Sequence, residues 1–133
     1  MAVKFHAMSD TDYRSLGPTV CSSMNLDGYV AMDNIIRNDA VTAILATDDL
    51  LAFGAQDKIM ESGKVKIALV GFNNTPLAEY RKIPLASVDV KAEELGYYGT
   101  KLLIDKLEGK AIGKNFYIID TKLVERKSLF VNS

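Results

Sequence analysis

The sequence predicts a single α/β domain built on a doubly wound, mainly parallel sheet. Two short segments, 42–46 and 66–72, contain uninterrupted runs of apolar residues, which is typical of strands covered on both faces. Segments with helical periodicity alternate with the strands, and the connections between them are short. At 133 residues and 48% hydrophobic content, the chain is long enough to bury about two thirds of its unfolded surface around one core.

The composition excludes several kinds of site. The 16 Lys and Arg residues nearly balance the 17 Asp and Glu residues, so the overall charge gives no reason to expect nucleic acid or an acidic membrane as a direct partner. One cysteine, Cys21, and one histidine, His6, are too few for a disulfide framework, a Cys/His zinc site or a well-placed catalytic triad. No apolar segment approaches the roughly 20 residues of a membrane span. We therefore expect a cytoplasmic protein without a metal or other cofactor.

The first predicted elements are a strand and a helix. The segment Thr19–Met24 follows a Gly-Pro turn and has the β-branched bias of a short strand. Asp27 then has the character of an N-cap, and the pattern predicts a helix of about three turns that ends near Asn38. The apolar positions at helical spacing are Ala31, Met32, Ile35 and Ile36.

The centre of the chain predicts a strand, a helix and a second strand. We expect the segment Thr42–Ala46 to lie inside the sheet. Asp49 is predicted to cap a helix that runs to Ser62, with Gly63 as its left-handed stop. The segment Lys66–Phe72 is the second buried strand.

The C-terminal third predicts a strand, a long helix and a divided tail. After a loop with two prolines, Ala86–Val90 is the third strand, and Lys91–Leu107 is a helix. Phe116–Val124 is expected to form two short strands broken near Asp120. The expected inward stripe of the long helix consists of Ala92, Leu95, Gly99, Leu102 and Leu103.

Polar residues follow two neighbouring strands, as Thr47-Asp48-Asp49 and as Phe72-Asn73-Asn74. Ligands of doubly wound sheets bind beyond the carboxyl ends of the strands, where these side chains could meet the hydroxyls of a small polar ligand. Asp and Asn are also common in caps and turns. For Asp48 and Asn73 both interpretations stay open, whereas Asp49 is best explained as a cap alone.

The adjacent carboxylates Asp48 and Asp49 also suggest an enzyme. Such a pair could bind magnesium and serve a metal-dependent phosphohydrolase, with Asp89 or Asp120 as a further ligand. The chain contains no glycine-rich phosphate loop, and sites of this kind need several convergent groups. We therefore expect no enzymatic activity.

The helix after Asp49 carries more apolar residues than one sheet-facing stripe requires. Leu50, Phe53 and Met60 are predicted to project from a second side. A second apolar face needs either loops or a partner to cover it, and we favour a homodimer. Tyr97 and Ile104 likewise lie away from the inward stripe of the long helix, where another layer or lobe could meet them.

Three stretches together resemble one known family. They are TAILATDDLLAFGAQDKIMESG, KIALVGFNNTPLAEYRKIPLASVDVKAEELGYYGTKLLIDKL and KLVERKS. In unbroken order over about 27–128, they resemble the effector-binding core of the LacI/GalR family of bacterial transcription repressors. The alternative is a lobe of the periplasmic sugar-binding proteins that share this fold, but the ending KLVERKS is more similar to the regulators.

This resemblance implies a type I periplasmic-binding-protein-like core of two lobes, with a small effector, often a sugar, held between them. Residues 1–133 would then be one effector-binding and dimerisation lobe, incomplete at its N-terminus. The N-terminal lobe and the DNA-binding headpiece would be absent from this chain. Operator DNA would be a partner only through that headpiece.

The resemblance also implies roles for particular residues. Asn73 stands where the family often has an effector-binding aspartate, Asp48 stands at a cleft-lining position, and Ser23 lies near the position of a stacking aromatic residue. The helix from Leu50, with Phe53 and Met60, corresponds to the family's dimer interface. The loop Pro76–Ile83, with Tyr80 and Arg81, completes that interface.

Overall fold

The computed structural model describes residues 24–64, 66–110, 113 and 116–130. The described part of the chain alternates helices and strands, as the sequence predicts. The elements are α1 (Met24–Ile35), β1 (Ala43–Leu45), α2 (Asp49–Ser62), β2 (Ala68–Phe72), α3 (Leu77–Tyr80), β3 (Ala86–Asp89), α4 (Ala92–Leu107), β4 (Lys122–Val124) and a 3-10 turn (Lys127–Leu129).

The described strands form one sheet in the order β1-β2-β3-β4. β1 and β2 are parallel, β2 and β3 are parallel, and β4 pairs antiparallel with β3. The predicted mainly parallel sheet is therefore confirmed. The carboxyl ends of β1 and β2 lie at the same edge, which brings the segments that follow Leu45 and Phe72 together.

Helices α1 and α2 cross in close contact, and two glycines allow this. A Cβ on Gly28 would lie 2.0 Å from the carbonyl oxygen of Leu51, and a Cβ on Gly54 would lie 1.7 Å from the carbonyl oxygen of Asn25. No side chain fits at such distances. The backbones of the two helices therefore approach directly, and α2 in turn packs on β2.

The hydrophobic core lies between this helix pair, β2 and the segment around α3. Its members are Met32 and Ile36 of the α1 region, Ala52, Phe53, Ala55 and Ile59 of α2, and Ile67, Leu69, Ala78 and Leu85. The predicted stop of α2 is confirmed, because Gly63 has φ +71° and its N–H bonds to the Met60 carbonyl oxygen.

Helix α1 begins earlier than the sequence predicts. It starts at Met24, so Asp27 lies in the first turn, buried, instead of serving as the N-cap. The predicted strand Thr19–Met24 is wrong at Met24, which is helical, and its other residues lie outside the described part of the chain. The helix ends at Ile35, and a turn continues to Asn38.

Strand β1 lies at the edge of the described sheet, where the sequence predicts an interior strand. Leu45 is 58% exposed, and Ala43 and Ile44 are only half-buried. In the parallel register with β2, Thr42 and Ala46 bond to β2, which directs the backbone groups of Ala43 and Leu45 to the other side. Full burial of this strand therefore needs a further neighbour.

Helix α4 has no buried residue, although the sequence predicts an inward stripe. Leu95 and Leu103 of that stripe are about half exposed, and Tyr97 and Ile104 are exposed as well. Apolar residues do recur at helical spacing in α4, but within the described residues no packed layer covers them. This helix is 16 residues long, and no described helix is long and apolar enough to cross a membrane.

The tail forms one strand where the sequence predicts two. β4 comprises Lys122–Val124, whereas residues 116–121 have no regular secondary structure. Phe116 and Ile118, which suggested the first strand, are 65% and 83% exposed. These apolar residues, like those of α4, do not belong to the described core.

Candidate functional site

Asp48 and Asn73 meet at the carboxyl edge of the sheet. The Asn73 side-chain amide donates a hydrogen bond from Nδ2 to Oδ2 of Asp48 at 2.8 Å. Asn73 is exposed and Asp48 is half-buried. Two predicted site residues, 25 positions apart in sequence, therefore form one polar surface at the position where ligands of such sheets bind.

Asp48 is also the N-cap of α2, a role that the sequence analysis gave to Asp49. Its backbone is extended, and its Oδ1 accepts the N–H of Leu50 at 2.7 Å. That bond fixes the orientation of the carboxylate. The prediction for Asp49 is wrong by one position: the carboxylate of Asp48 caps the helix and also bonds to Asn73.

Asp49 is instead the first residue of α2 and is completely buried. Its Oδ1 accepts the hydroxyl of Ser87 at 2.6 Å. Its Oδ2 accepts the backbone N–H of Thr75 at 2.6 Å and the Thr75 hydroxyl at 3.0 Å. Burying a carboxylate costs free energy unless hydrogen-bond donors surround it. The bonds from Ser87 and Thr75 therefore allow Asp49 to be buried.

The loop after β2 has a backbone that only a few residue types adopt. Asn73 and Asn74 have φ values of +94° and +50°, in the left-handed region where asparagine is enriched. The Asn73 N–H bonds to the carbonyl oxygen of Val88. Arg126 donates to Oδ1 of Asn74 and to the carbonyl oxygen of Leu85, each at 2.8 Å. Both asparagines are thus held from neighbouring strands.

Besides Asp48, a second partly exposed carboxylate lies at this edge: Asp89, the last residue of β3. The backbone N–H of Lys91 donates to its Oδ1 at 2.9 Å and lowers the pKa of Asp89 below the ordinary value of 3.8, with further contributions from the Lys91 ammonium and from Asn74. The described cations near this edge are engaged, Lys91 with Asp89 and Arg126 with carbonyl and amide oxygens. The edge is therefore rich in hydrogen-bond acceptors.

The magnesium-site hypothesis finds no geometric support. Asp48 and Asp49 have different hydrogen-bond partners, and Asp49 is enclosed by Ser87 and Thr75. Within the described ranges, no group of three or more His, Cys, Asp or Glu residues is placed to hold a metal ion. Although Asp48 and Asp49 are adjacent in the sequence, their carboxylates do not point to a common site.

Other parts of the predicted site are less complete. Ser23 lies outside the described residues. Two surface cavities of about 450 and 560 Å³ lie elsewhere, one on α4 around Tyr97 and the other around Met60 and Phe130. Asp48 and Asn73 line neither of these two cavities.

The predicted second apolar face of α2 differs in one member. Leu50 is 40% exposed and Met60 is half-buried, but Phe53 is 4% exposed and belongs to the core. Arg81 covers the Phe53 ring, with 5.0 Å between the guanidinium carbon and the ring centre. Tyr80, the last residue of α3, is 81% exposed. Among the predicted interface residues, Leu50 and Tyr80 are therefore exposed, whereas Phe53 is not.

Sequence reasoning missed the residues that hold the loop in place: Thr75, Ser87 and Arg126. The only available signal was indirect. Ser87 interrupts an apolar strand, and a buried hydroxyl requires a partner. Nothing in the sequence pairs it with Asp49, which is 38 residues away.

Comparison with known proteins identifies the family. A family profile described as "Periplasmic binding protein-like domain" matches residues 7–129. The chain is 33% identical over 106 residues to the HTH-type transcriptional repressor MelR of Bacillus subtilis (strain 168), which covers 77% of this chain and 30% of that protein. It is 32% identical over 89 residues to the lactose operon repressor of Rhizobium radiobacter, covering 65% of this chain and 78% of that protein.

Solved structures agree with this assignment. The transcriptional regulator CelR in complex with cellobiose matches with a TM-score of 0.71 and 28% identity, over 78% of this chain and 33% of that one. The lac repressor dimer bound to operator and the anti-inducer ONPF matches with a TM-score of 0.69 and 27% identity, over 77% of this chain and 37% of that one. The chain thus spans about a third of MelR and of each of these two solved chains.

The relatives named here are transcription regulators, which gives no support to the phosphohydrolase or to the lobe of a sugar-binding protein. The match covers almost the whole described sheet with its helices. The chain belongs to the LacI/GalR family of transcriptional regulators and represents part of its periplasmic-binding-protein-like effector-binding core.

Proposed function

We propose that this chain is the effector-binding and dimerisation lobe of a LacI/GalR-type repressor that senses a sugar. The observation that carries the proposal is the pairing of Asp48 with Asn73 at the carboxyl edge of two parallel strands. Its position matches the ligand-binding edge of such sheets. The relative CelR was solved in complex with cellobiose, which supports a sugar as the class of effector.

The chemistry of this edge favours a neutral ligand with many hydroxyls. Asn73 uses one amide hydrogen on Asp48, so its Oδ1 remains to accept from a ligand hydroxyl and its second amide hydrogen remains to donate to one. Asp48 likewise offers acceptor positions beyond its bonds to Leu50 and Asn73. Asp89 adds a further carboxylate nearby, and this arrangement disfavours phosphorylated or carboxylated effectors by charge repulsion. Ser23 belongs to this proposed site.

The second lobe of the effector cleft would lie against α4. The chain leaves the sheet after Asp89 and returns at Lys122, which are paired residues of β3 and β4. The segment between these two residues, which includes α4, is therefore joined to the sheet only at two neighbouring points. The exposed apolar residues in this excursion need a partner layer: Leu95, Tyr97, Leu103, Ile104, Leu107, Phe116 and Ile118. An N-terminal lobe, carried by sequence continuous with this chain, would supply that layer.

The proposed homodimer interface comprises the start of α2 and the α3 loop. Leu50 and Tyr80 present exposed apolar surface, and Arg81, next to Tyr80, pairs with Asp57 of α2. Met60, which is half-buried near the C-terminal end of α2, would extend the interface along that helix. Phe53 would support this surface from within. A dimer is consistent with the lac repressor dimer among the relatives.

In the intact regulator, effector binding between the lobes would favour their closed arrangement, and the dimer would transmit that preference to DNA-binding headpieces. Operator DNA would be contacted only through those headpieces, and the protein would act in the cytoplasm. This lobe alone should bind effectors weakly, because the other lobe supplies part of the contacts and of the desolvation.

The test is calorimetry on the intact regulator with cellobiose, lactose and ribose. We expect one sugar to bind, and Asn73→Ala to weaken its binding about tenfold or more, as expected for loss of a hydrogen bond in a desolvated site. Lys66→Ala is the matched control, because this exposed residue lies just before β2, at the opposite edge of the sheet. Unchanged affinity in Asn73→Ala would remove that residue from the site.

A further inference from the structure

The two adjacent carboxylates of this chain have separate tasks. Asp48 faces the candidate ligand edge, whereas Asp49 is 0% exposed and points into the fold. We propose that Asp49 is a positioning residue for this edge, whose buried carboxylate holds the loop 73–75 so that the amide of Asn73 faces Asp48. The proposal rests on the function proposed above only in treating Asn73 as an effector contact.

The backbone after Asn73 bonds to the Asp49 carboxylate. The Thr75 N–H donates directly to Oδ2 of Asp49 at 2.6 Å. The Asn74 N–H donates to the Ser87 hydroxyl at 2.9 Å, and that hydroxyl donates to Oδ1 of Asp49 at 2.6 Å. Two consecutive N–H groups of the loop are therefore satisfied by one side chain, directly and through one relay.

These bonds maintain an uncommon backbone conformation. Asn73 and Asn74 both have positive φ. A residue in a sparsely populated backbone region of this kind persists only where surrounding contacts determine it. The bonds to Asp49 and Ser87 act on the two peptide units immediately after Asn73. Loss of these bonds would free the two peptide units to adopt a more populated conformation, and the direction of the Asn73 side chain would change with its backbone.

Strand β2 also lies close to the Asp49 carboxylate. Gly71 lies two residues before Asn73, and a Cβ there would be 2.2 Å from Oδ1 of Asp49. The same Cβ would be 2.9 Å from a methyl carbon of Leu85. The strand therefore has a glycine where the carboxylate approaches it, and this direct approach places Asp49 within reach of the loop.

A merely structural role for Asp49 makes a different prediction. In that case its loss would destabilise the sheet and helix as a whole, and every protected N–H would exchange faster by the same factor. A positioning role predicts a local effect, confined to the loop and to the Asn73 amide. Hydrogen exchange and the side-chain amide signals of Asn73, both measured by NMR without any ligand, separate these possibilities.

The experiment compares Asp49→Asn, Ser87→Ala and Asp48→Ala with the unmodified chain. In Asp49→Asn we expect the N–H groups of Asn74 and Thr75 to exchange about tenfold faster, while that of Val70 in β2 is unchanged. The amide signals of Asn73 should move towards their position in Asp48→Ala, which defines the released side chain. Uniform acceleration that includes Val70, or unmoved Asn73 signals, would overturn the proposal.

Ser87→Ala keeps the proposal testable if Asp49→Asn does not fold. This nearly isosteric change removes the acceptor of the Asn74 N–H but leaves both Thr75 bonds to Asp49. Faster exchange at Asn74 with an unchanged Thr75 is the expected result, and an unchanged Asn74 contradicts the relay. Because these measurements use no effector, they test the positioning independently of whether Asn73 binds a sugar.

Discussion

The guanidinium of Arg81 lies over the ring of Phe53, and the same side chain donates from Nη2 to the Phe53 carbonyl oxygen at 3.3 Å and from Nε to Oε1 of Gln56 at 3.1 Å. It also pairs with Asp57. One side chain therefore joins the α3 loop to α2, and these are the two elements of the proposed dimer interface.

Replacing Arg81 should loosen this junction. We expect Arg81→Ala to lower the free energy of unfolding by about 1–2 kcal/mol, because it removes a cation–π contact and several hydrogen bonds of a partly exposed side chain. Urea unfolding followed by circular dichroism measures the change. The exposed neighbour Lys82 is the control, and a loss in Lys82→Ala as large as in Arg81→Ala would contradict this assignment.

The proposed dimer surface predicts that a charge introduced at Leu50 or Tyr80 weakens dimerisation. Leu50→Glu and Tyr80→Glu should each raise the dimer dissociation constant about tenfold or more, since a buried carboxylate would then lack a partner. Light scattering over a concentration series measures the association. Lys101→Glu, on exposed α4, tests for a general charge effect. Phe53→Glu is unsuitable because Phe53 is a core residue. Unchanged association in both variants would place the interface elsewhere.

The crossing of α1 and α2 predicts that Gly28 tolerates no side chain. Gly28→Ala should cost about 3 kcal/mol, because its Cβ would meet the Leu51 backbone, which cannot move as a flexible side chain does. Gly99→Ala in α4 is the matched control. No atom lies within 4 Å of the Cβ it would add, so it should be neutral or stabilise by up to about 1 kcal/mol. Urea unfolding distinguishes the two, and equal effects would refute the close crossing.

Acid should weaken the same helix pair. Hydrogen bonds from Lys58 and Arg37, with their positive charges, lower the pKa of Asp33 below 3.8 in the folded state. Its stabilising contribution is therefore present above the unfolded pKa and lost as pH falls through the lowered folded value. Thermal unfolding from pH 7 to pH 2.5 should show a smaller acid-induced drop for Asp33→Asn than for the unmodified chain. An identical drop would mean that this group does not contribute.

Several features were predictable because they depend on neighbours in the sequence. The apolar positions of β2 indicated its burial, and Gly63 indicated the left-handed end of α2. The edge that brings Asp48 and Asn73 together followed from the parallel order of their strands. The sequence alone could not distinguish Asp48 from Asp49, since either aspartate can cap a helix and the choice depends on contacts distant in sequence.

The sequence by itself determined the α/β alternation, the mainly parallel sheet and the polar edge, because periodicity and strand order are encoded locally. Only the tertiary structure decided which carboxylate is buried, which apolar face is covered and which is left open. Asp49 is enclosed because Ser87 and Thr75 reach it from other strands and loops, and Phe53 is buried because Arg81 covers it. The apolar residues of α4 are exposed because a helical pattern specifies a face without specifying what packs on it.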